Sequence, residues 1–153
     1  MTEKKGTRAT SKVKSIHRPE LIRPIHIAPC GMNCALCLAY LREKNTCPGC
    51  IGPDEGKSFS CVACRIKNCK QPKSRNSRFC LACAQFPCAR LKHLDKRYRT
   101  KYGMSMIENL ENIRELGIKK FVAQEKIRWK CPECGGTICV HRKDCIYCGC
   151  SRP

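Results

Sequence analysis

The chain has 153 residues and a formal net charge of +19, and 17 of its residues are cysteine. The hydrophobic share of 42% includes those cysteines, and the chain has one Trp and four Phe. This composition excludes a large hydrophobic core, so disulfides or metal ions must help to hold the fold. A chain this basic repels itself unless it meets anionic partners.

The spacing of the cysteines favours metal over disulfides. A disulfide gains most when it closes a long loop, whereas two thiolates three residues apart can bind one tetrahedral ion. An odd number of cysteines also leaves one unpaired in a scheme made only of disulfides. The sequence therefore predicts a reduced, cytoplasmic, metal-binding protein without a membrane span. The C-x-x-C pairs are Cys34/Cys37, Cys47/Cys50, Cys61/Cys64, Cys80/Cys83, Cys131/Cys134 and Cys145/Cys148.

All but two of the cysteines are predicted metal ligands. Zinc is the expected ion, and an iron–sulfur cluster is the alternative because thiolates serve both metals. The roles of His26, His93, Cys139, His141 and Cys150 are left open. The predicted ligands are Cys30, Cys34, Cys37, Cys47, Cys50, Cys61, Cys64, Cys69, Cys80, Cys83, Cys88, Cys131, Cys134, Cys145 and Cys148.

Four segments follow from the composition, and together they predict a small, metal-stapled α+β fold. Residues 1–24 are basic with little to bury and are expected to form a disordered arm. Residues 25–88 form an irregular cysteine-rich zinc domain, 89–129 a short helical hairpin, and 130–153 a zinc-ribbon-like domain.

Helix is predicted in two places. Apolar residues recur at helical spacing over 35–45, and again from Ala89 up to Gly103. Ser105 and Glu108 match a capping box at the start of the next helical segment. The apolar seam over 89–129 is interpreted as structural packing.

The most specific motif lies at 131–150, where CPECGG and CIYCG match two zinc knuckles. In each knuckle, backbone amides point at the sulfurs and a glycine takes the left-handed turn after the second cysteine. The β-forming residues between the knuckles, Thr137, Ile138 and Val140, predict a β-hairpin that brings the knuckles together.

The grouping of the first eleven cysteines stays open in the sequence. Cys30, Cys34 and Cys37 have the spacing of radical-SAM enzymes, but the chain lacks the length and pattern of their αβ barrel. The segments 61–69 and 80–88 share the pattern C-x2-C-x4-C, which suggests a duplicated half-site. Three tetrahedral sites need a twelfth ligand, for which His93 and His26 are candidates; two sites with spare cysteines are equally tenable.

Several of these blocks together resemble a known family. CGMNCALCLAY, CPGC, CVACRIKNC and FCLACAQFPCARL are similar to the cysteine-rich prokaryotic family named domain of unknown function 3795. The resemblance covers roughly residues 28–150, since members often continue with similar helical and C-x-x-C segments. It implies a small cytoplasmic zinc-binding protein and no established reaction.

The charge is concentrated in two segments, and this favours a nucleic-acid partner. Segment 65–78 carries six cations and no acid, and segment 89–101 carries six cations with Asp95 as its single acid. A redox or iron–sulfur protein is the second hypothesis. An enzyme is the third and least favoured, because the chain lacks a phosphate loop and an open metal site. No catalytic residue is predicted.

Overall fold

The first, cysteine-rich part of the chain consists of single helical turns joined by loops in the computed structural model, which describes residues 21–153. The predicted helix over 35–45 is wrong in extent. Asn33 caps a short 3-10 turn with its side chain, and the backbone of Cys37 is extended before the next turn begins. The α-helical turns are α1 (Leu38–Leu41) and α2 (Phe59–Val62), and the 3-10 turns are Pro24–His26, Cys34–Leu36, Ser74–Asn76 and Cys80–Ala82.

Three consecutive helices follow, α3 (Ala89–Tyr102), α4 (Met106–Leu116) and α5 (Ile118–Arg128). The signals read from the sequence act where expected: Gly103 ends α3, and the Ser105 hydroxyl accepts the Glu108 N–H at 3.1 Å. Because the chain turns again at Gly117, the region is a three-helix unit rather than a two-armed hairpin. Helix α4 packs against both α3 and α5.

The β component of the predicted α+β fold is not confirmed. Within residues 21–153, β structure is limited to four isolated antiparallel bridges. The fold is therefore small and helix-rich, with a cysteine group near its C-terminal end. The bridges join Ile27 to Asn33, Lys73 to Cys83, Lys130 to Thr137, and Asp144 to Ser151.

One buried cluster includes side chains from all three ordered segments that the sequence predicted. Leu36, Leu91 and Val140 are each 1% exposed or less. The Val140 N–H also donates to the Leu36 carbonyl at 2.9 Å, which joins the first cysteine block to the C-terminal region. The division into separate folding units stays a prediction.

The predicted arm at 1–24 lies outside the described residues except for its last four positions. Among those, Ile22 is buried in the common cluster and Pro24 begins a 3-10 turn. Structure therefore starts before residue 25. None of the helices in this described part is long and apolar enough to cross a lipid bilayer.

Candidate metal centre

The two C-terminal knuckles bring four sulfurs together. The Sγ atoms of Cys131, Cys134, Cys145 and Cys148 all lie within 4.8 Å of one another. The distances Cys131–Cys148 and Cys134–Cys145 are both 3.7 Å. Four sulfurs bound at 2.3 Å to one tetrahedral zinc ion are about 3.8 Å apart. The spacing of this group therefore fits a single tetrahedral ion.

Both knuckles have the same backbone. In the first knuckle, the Cys131 N–H donates to the Gly136 carbonyl, and the Cys131 carbonyl accepts the Gly135 N–H. In the second, the Cys145 N–H donates to the Cys150 carbonyl, and the Cys145 carbonyl accepts the Gly149 N–H. Those glycines, Gly135 and Gly149, have φ of +72° and +75°, the left-handed conformation that the sequence predicted. Because each knuckle closes on itself and carries its own short bridge, the predicted β-hairpin between them is not formed.

The electrostatics of the group suit a cation. Backbone N–H groups, that of Cys134 first, lower the pKa of the Cys131 thiol to about 6. Burial raises the pKa of the Cys134 thiol to about 12. The Cys131 thiolate therefore forms readily without metal, whereas the Cys134 thiol needs a positive charge beside it to ionise. The donor set, four thiols, fits a thiolate-binding metal ion such as zinc or iron, which would supply that charge.

A fifth cysteine lies beside this group. The Cys150 Sγ is 3.3 Å from that of Cys131, although Cys150 does not lie within 4.8 Å of the whole set. Its position follows from the knuckle repeat, because Cys150 occupies the place that Gly136 holds in the first knuckle. Cys139 is completely buried nearby and outside the group.

Two of the three histidines that the sequence left open have hydrogen-bond partners other than a metal. His26 accepts the Arg23 N–H at Nδ1 and pairs with the Tyr40 hydroxyl at Nε2. His141 accepts the Leu38 N–H at Nδ1 and pairs with the Tyr98 hydroxyl at Nε2. Both therefore hold packed elements together. His93 is exposed on α3 and joins no group of potential ligands in the residues described.

Six cysteines form a looser central group in the first part of the chain. The Cys50 N–H donates to the Cys34 Sγ at 3.4 Å. Burial raises the pKa of Cys37, and the thiolate charges of Cys47 and Cys61 add to that shift, so these groups are neighbours. The group consists of three C-x-x-C pairs, Cys34, Cys37, Cys47, Cys50, Cys61 and Cys64, and the buried thiol of Cys30 lies beside it, close to Cys34, Cys50 and Cys80.

Four further cysteines surround one cavity: Cys69, Cys80, Cys83 and Cys88. Burial raises the pKa of Cys80 to about 11, Lys73 opposes the shift, and the three other thiolates add to it. The two copies of the repeat thus do not form equivalent half-sites. Cys61 and Cys64 of the first copy join the central group, whereas its Cys69 faces the second copy. The repeat alone does not indicate this division.

The exposed charged side chains of α3 are all cations. Its single acid, Asp95, is 3% exposed and accepts hydrogen bonds from the Ser105 hydroxyl at 2.6 Å and the Ile107 N–H at 3.1 Å. The aromatic rings of Tyr98 and Tyr102 contact the His141 ring edge-to-face and are half-buried. The exposed cations, together called the basic face below, form two stripes along the helix: Arg90, Arg97 and Lys101 in one, and Lys92, Lys96 and Arg99 in the other.

Comparison with known proteins supports the resemblance over part of the chain. Residues 26–93 match the family described as "Protein of unknown function (DUF3795)". The match covers the first eleven cysteines and the beginning of α3, and it ends before the C-terminal knuckles. No match was found among curated proteins or among solved structures.

Proposed function

We propose that this chain is a zinc-stabilised binding module whose partner is nucleic acid. The observation that carries the proposal is the basic face of α3, in which the only acid of the helix is turned inward to hold the start of α4. Phosphate contacts need exposed cations, and the single carboxylate of α3 lies within ion-pair distance of only one of the six, Arg99 at 3.8 Å. Reduced cysteines in metal groups suit a cytoplasmic location.

Zinc in the C-terminal group is supported by the sulfur spacing and by the all-thiol donor set. Four thiolates close the coordination shell, so the ion would stabilise the fold and leave no position for a substrate. Binding rather than catalysis is the activity that such a closed site supports. Elemental analysis should find zinc in the wild type and less of it in Cys134→Ser.

The nucleic-acid part is tested by measuring affinity against salt. The full chain should bind labelled single-stranded RNA and duplex DNA at low salt with little sequence preference. Log affinity should fall with log salt by about 0.9 per phosphate contact on duplex and about 0.7 on single strands. The double variant Arg97→Ala, Lys101→Ala removes two adjacent cations of the basic face and should flatten the slope by one or two contacts.

The matched control is Lys119→Ala, Lys120→Ala, which removes two exposed cations of α5 and the same net charge. It should leave the slope nearly unchanged if the basic face of α3 is the contact surface. Zinc content should be equal in all three proteins. Absence of nucleic-acid binding at low salt, or an equal change of the salt slope in both double variants, would show that the basic face is solvated surface and not the nucleic-acid contact.

A further inference from the structure

A cavity of about 210 Å³ lies between the end of the cysteine-rich region and the start of α3. Four cysteines line it: Cys69, Cys80, Cys83 and Cys88. Apolar walls come from Ile66, Phe86 and Leu91. A cavity ringed by four thiols is a donor set for a metal or a metal cluster.

The sulfurs around this cavity are spread more widely than those of the C-terminal group. In the described part of the chain, only the C-terminal group has three or more potential ligand atoms within 4.8 Å of one another. Four sulfurs on one zinc ion would be about 3.8 Å apart. The space between these four cysteines is therefore larger than a single ion requires.

We propose that Cys69, Cys80, Cys83 and Cys88 hold a four-iron iron–sulfur cluster in this cavity. Such a cluster bonds each of four thiolates to a different iron, so its ligand sulfurs stand apart and the cluster fills the space between them. On assembly, each thiol releases its proton to solvent and its sulfur bonds to one iron. The cluster itself combines two Fe²⁺, two Fe³⁺ and four sulfide ions, and no net electron transfer is needed.

The surroundings of the cavity suit the negative charge of a thiolate-bound cluster. Helix α3 begins at Ala89 with no side chain capping its first N–H groups and no acid in its first turn. Those N–H groups carry the positive end of the helix dipole, and Ala89 lines the cavity. Three cations, Arg65, Lys73 and Arg90, stand around the same cavity.

This inference goes beyond the proposed function, because it places a different metal in a second site and leaves zinc in the C-terminal group. It also gives the repeat a role: Cys69 of the first copy completes a set of three cysteines from the second. The two sites can be tested separately in one protein.

The test begins with the full wild-type chain, purified without oxygen and incubated with ferrous iron, ferric iron and sulfide. Iron, sulfide and zinc are measured per chain, together with visible absorbance and electron paramagnetic resonance after dithionite reduction. We expect about four iron and about four sulfide per chain, a broad charge-transfer band, and a paramagnetic signal on reduction. Zinc alone in the wild type, or one iron without sulfide, would overturn the proposal.

Two cysteine variants assign the sites. Cys83→Ser should lose most of its iron and sulfide and keep its zinc, whereas Cys134→Ser should lose zinc and keep iron. Circular dichroism shows whether each variant retains its helices. If Cys83→Ser fails to fold, the proposal is judged on the wild type alone, from its iron and sulfide content per chain and its paramagnetic signal after reduction. Equal loss of iron in both folded variants would contradict the assignment of the cluster to the cavity. A protein that holds its iron but does not bind nucleic acid would contradict the proposed function alone.

Discussion

Asn33 donates a hydrogen bond from Nδ2 to the Oε2 of Glu125 at 3.0 Å, across 92 positions of sequence. Both side chains are buried, with 0% and 2% exposure. The Asn33 Oδ1 also accepts the Ala35 N–H at 3.2 Å, which caps the turn that carries Cys34. One amide side chain thus fixes the first cysteine block to α5.

The ionisation of Glu125 should make stability depend on pH. Burial raises the pKa of this carboxyl, more than the hydrogen bond from Asn33 and the charge of Arg128 lower it. The folded state therefore binds this proton more tightly than the unfolded state. Its contribution to stability is present at low pH and is lost as pH rises from about 4.3, the ordinary value for Glu, through the raised folded value.

Glu125→Gln removes that titration while keeping an acceptor for Asn33. Urea unfolding of both metal-loaded proteins across the acidic and neutral range should show the variant gaining on the wild type as pH rises. Because both carry the same cysteines, the pH dependence of metal binding cancels in the difference. Parallel stability curves would show that Glu125 does not titrate differently in the fold.

Gly31 should be intolerant of any side chain. Its φ is +87°, and a Cβ there would lie 2.6 Å from the Met106 carbonyl oxygen and 2.9 Å from the Leu110 Cγ. Gly103→Ala is the control, because Gly103 has φ of +66° and its nearest atom would be the flexible end of Arg152 at 3.8 Å. The control should cost about 1–2 kcal/mol for the left-handed backbone alone.

Gly31→Ala should cost about 1–3 kcal/mol more than the control, because the first cysteine block must move away from α4. Thermal or urea unfolding measures the difference. Equal losses of unfolding free energy in the two variants would show that the cysteine block moves to accommodate the new methyl group without further loss of stability.

Asp95 should be needed for the junction of α3 and α4 rather than for the charge of the surface. Asp95→Ala leaves the Ser105 hydroxyl and the Ile107 N–H without their acceptor and should destabilise the fold by about 1–3 kcal/mol. Asp95→Asn keeps one oxygen acceptor and should lose less. Similar losses in the two variants, measured by urea unfolding, would contradict a hydrogen-bonding role.

Metal removal should unfold the cysteine-rich residues 30–88 more than the three-helix unit. Few apolar side chains are available there, so binding of the metal or cluster supplies much of the folding free energy; structural zinc sites, for comparison, supply of order 10 kcal/mol per ion. Hydrogen exchange with and without a chelator should show protection lost first in 30–88 and retained longer in α4. A dispersed amide spectrum for 30–88 after complete chelation would show that metal is not structural there.

Local signals in the sequence predict local structure well in this chain. Gly103, Ser105 and the two knuckle glycines act as expected, because each effect involves residues within one turn of backbone. The helix predicted over 35–45 fails because apolar periodicity does not register that Asn33 starts a 3-10 turn and that Cys37 interrupts the helix with extended backbone.

The grouping of the cysteines is a long-range property and cannot be predicted from spacing. Cys61, Cys64 and Cys69 form one continuous motif, yet Cys69 lines a cavity with residues from the next motif. The burial of Asp95 could not be predicted from the sequence either, because a single acid among six cations resembles an ordinary charged residue of the surface. Its distance of ten positions from Ser105 is a tertiary relationship that no helical period encodes.

The hydrogen bond between Val140 and Leu36 bears on how this chain can be divided for experiments. The matched family segment stops at residue 93, a few residues into α3. A fragment ending there would leave the Leu36 carbonyl without its donor and would lack the side chains of α4, α5 and the C-terminal region that belong to the common buried cluster. We expect such a fragment to be insoluble or rapidly cleaved by protease, so that the matched segment alone is not a self-sufficient piece of this protein.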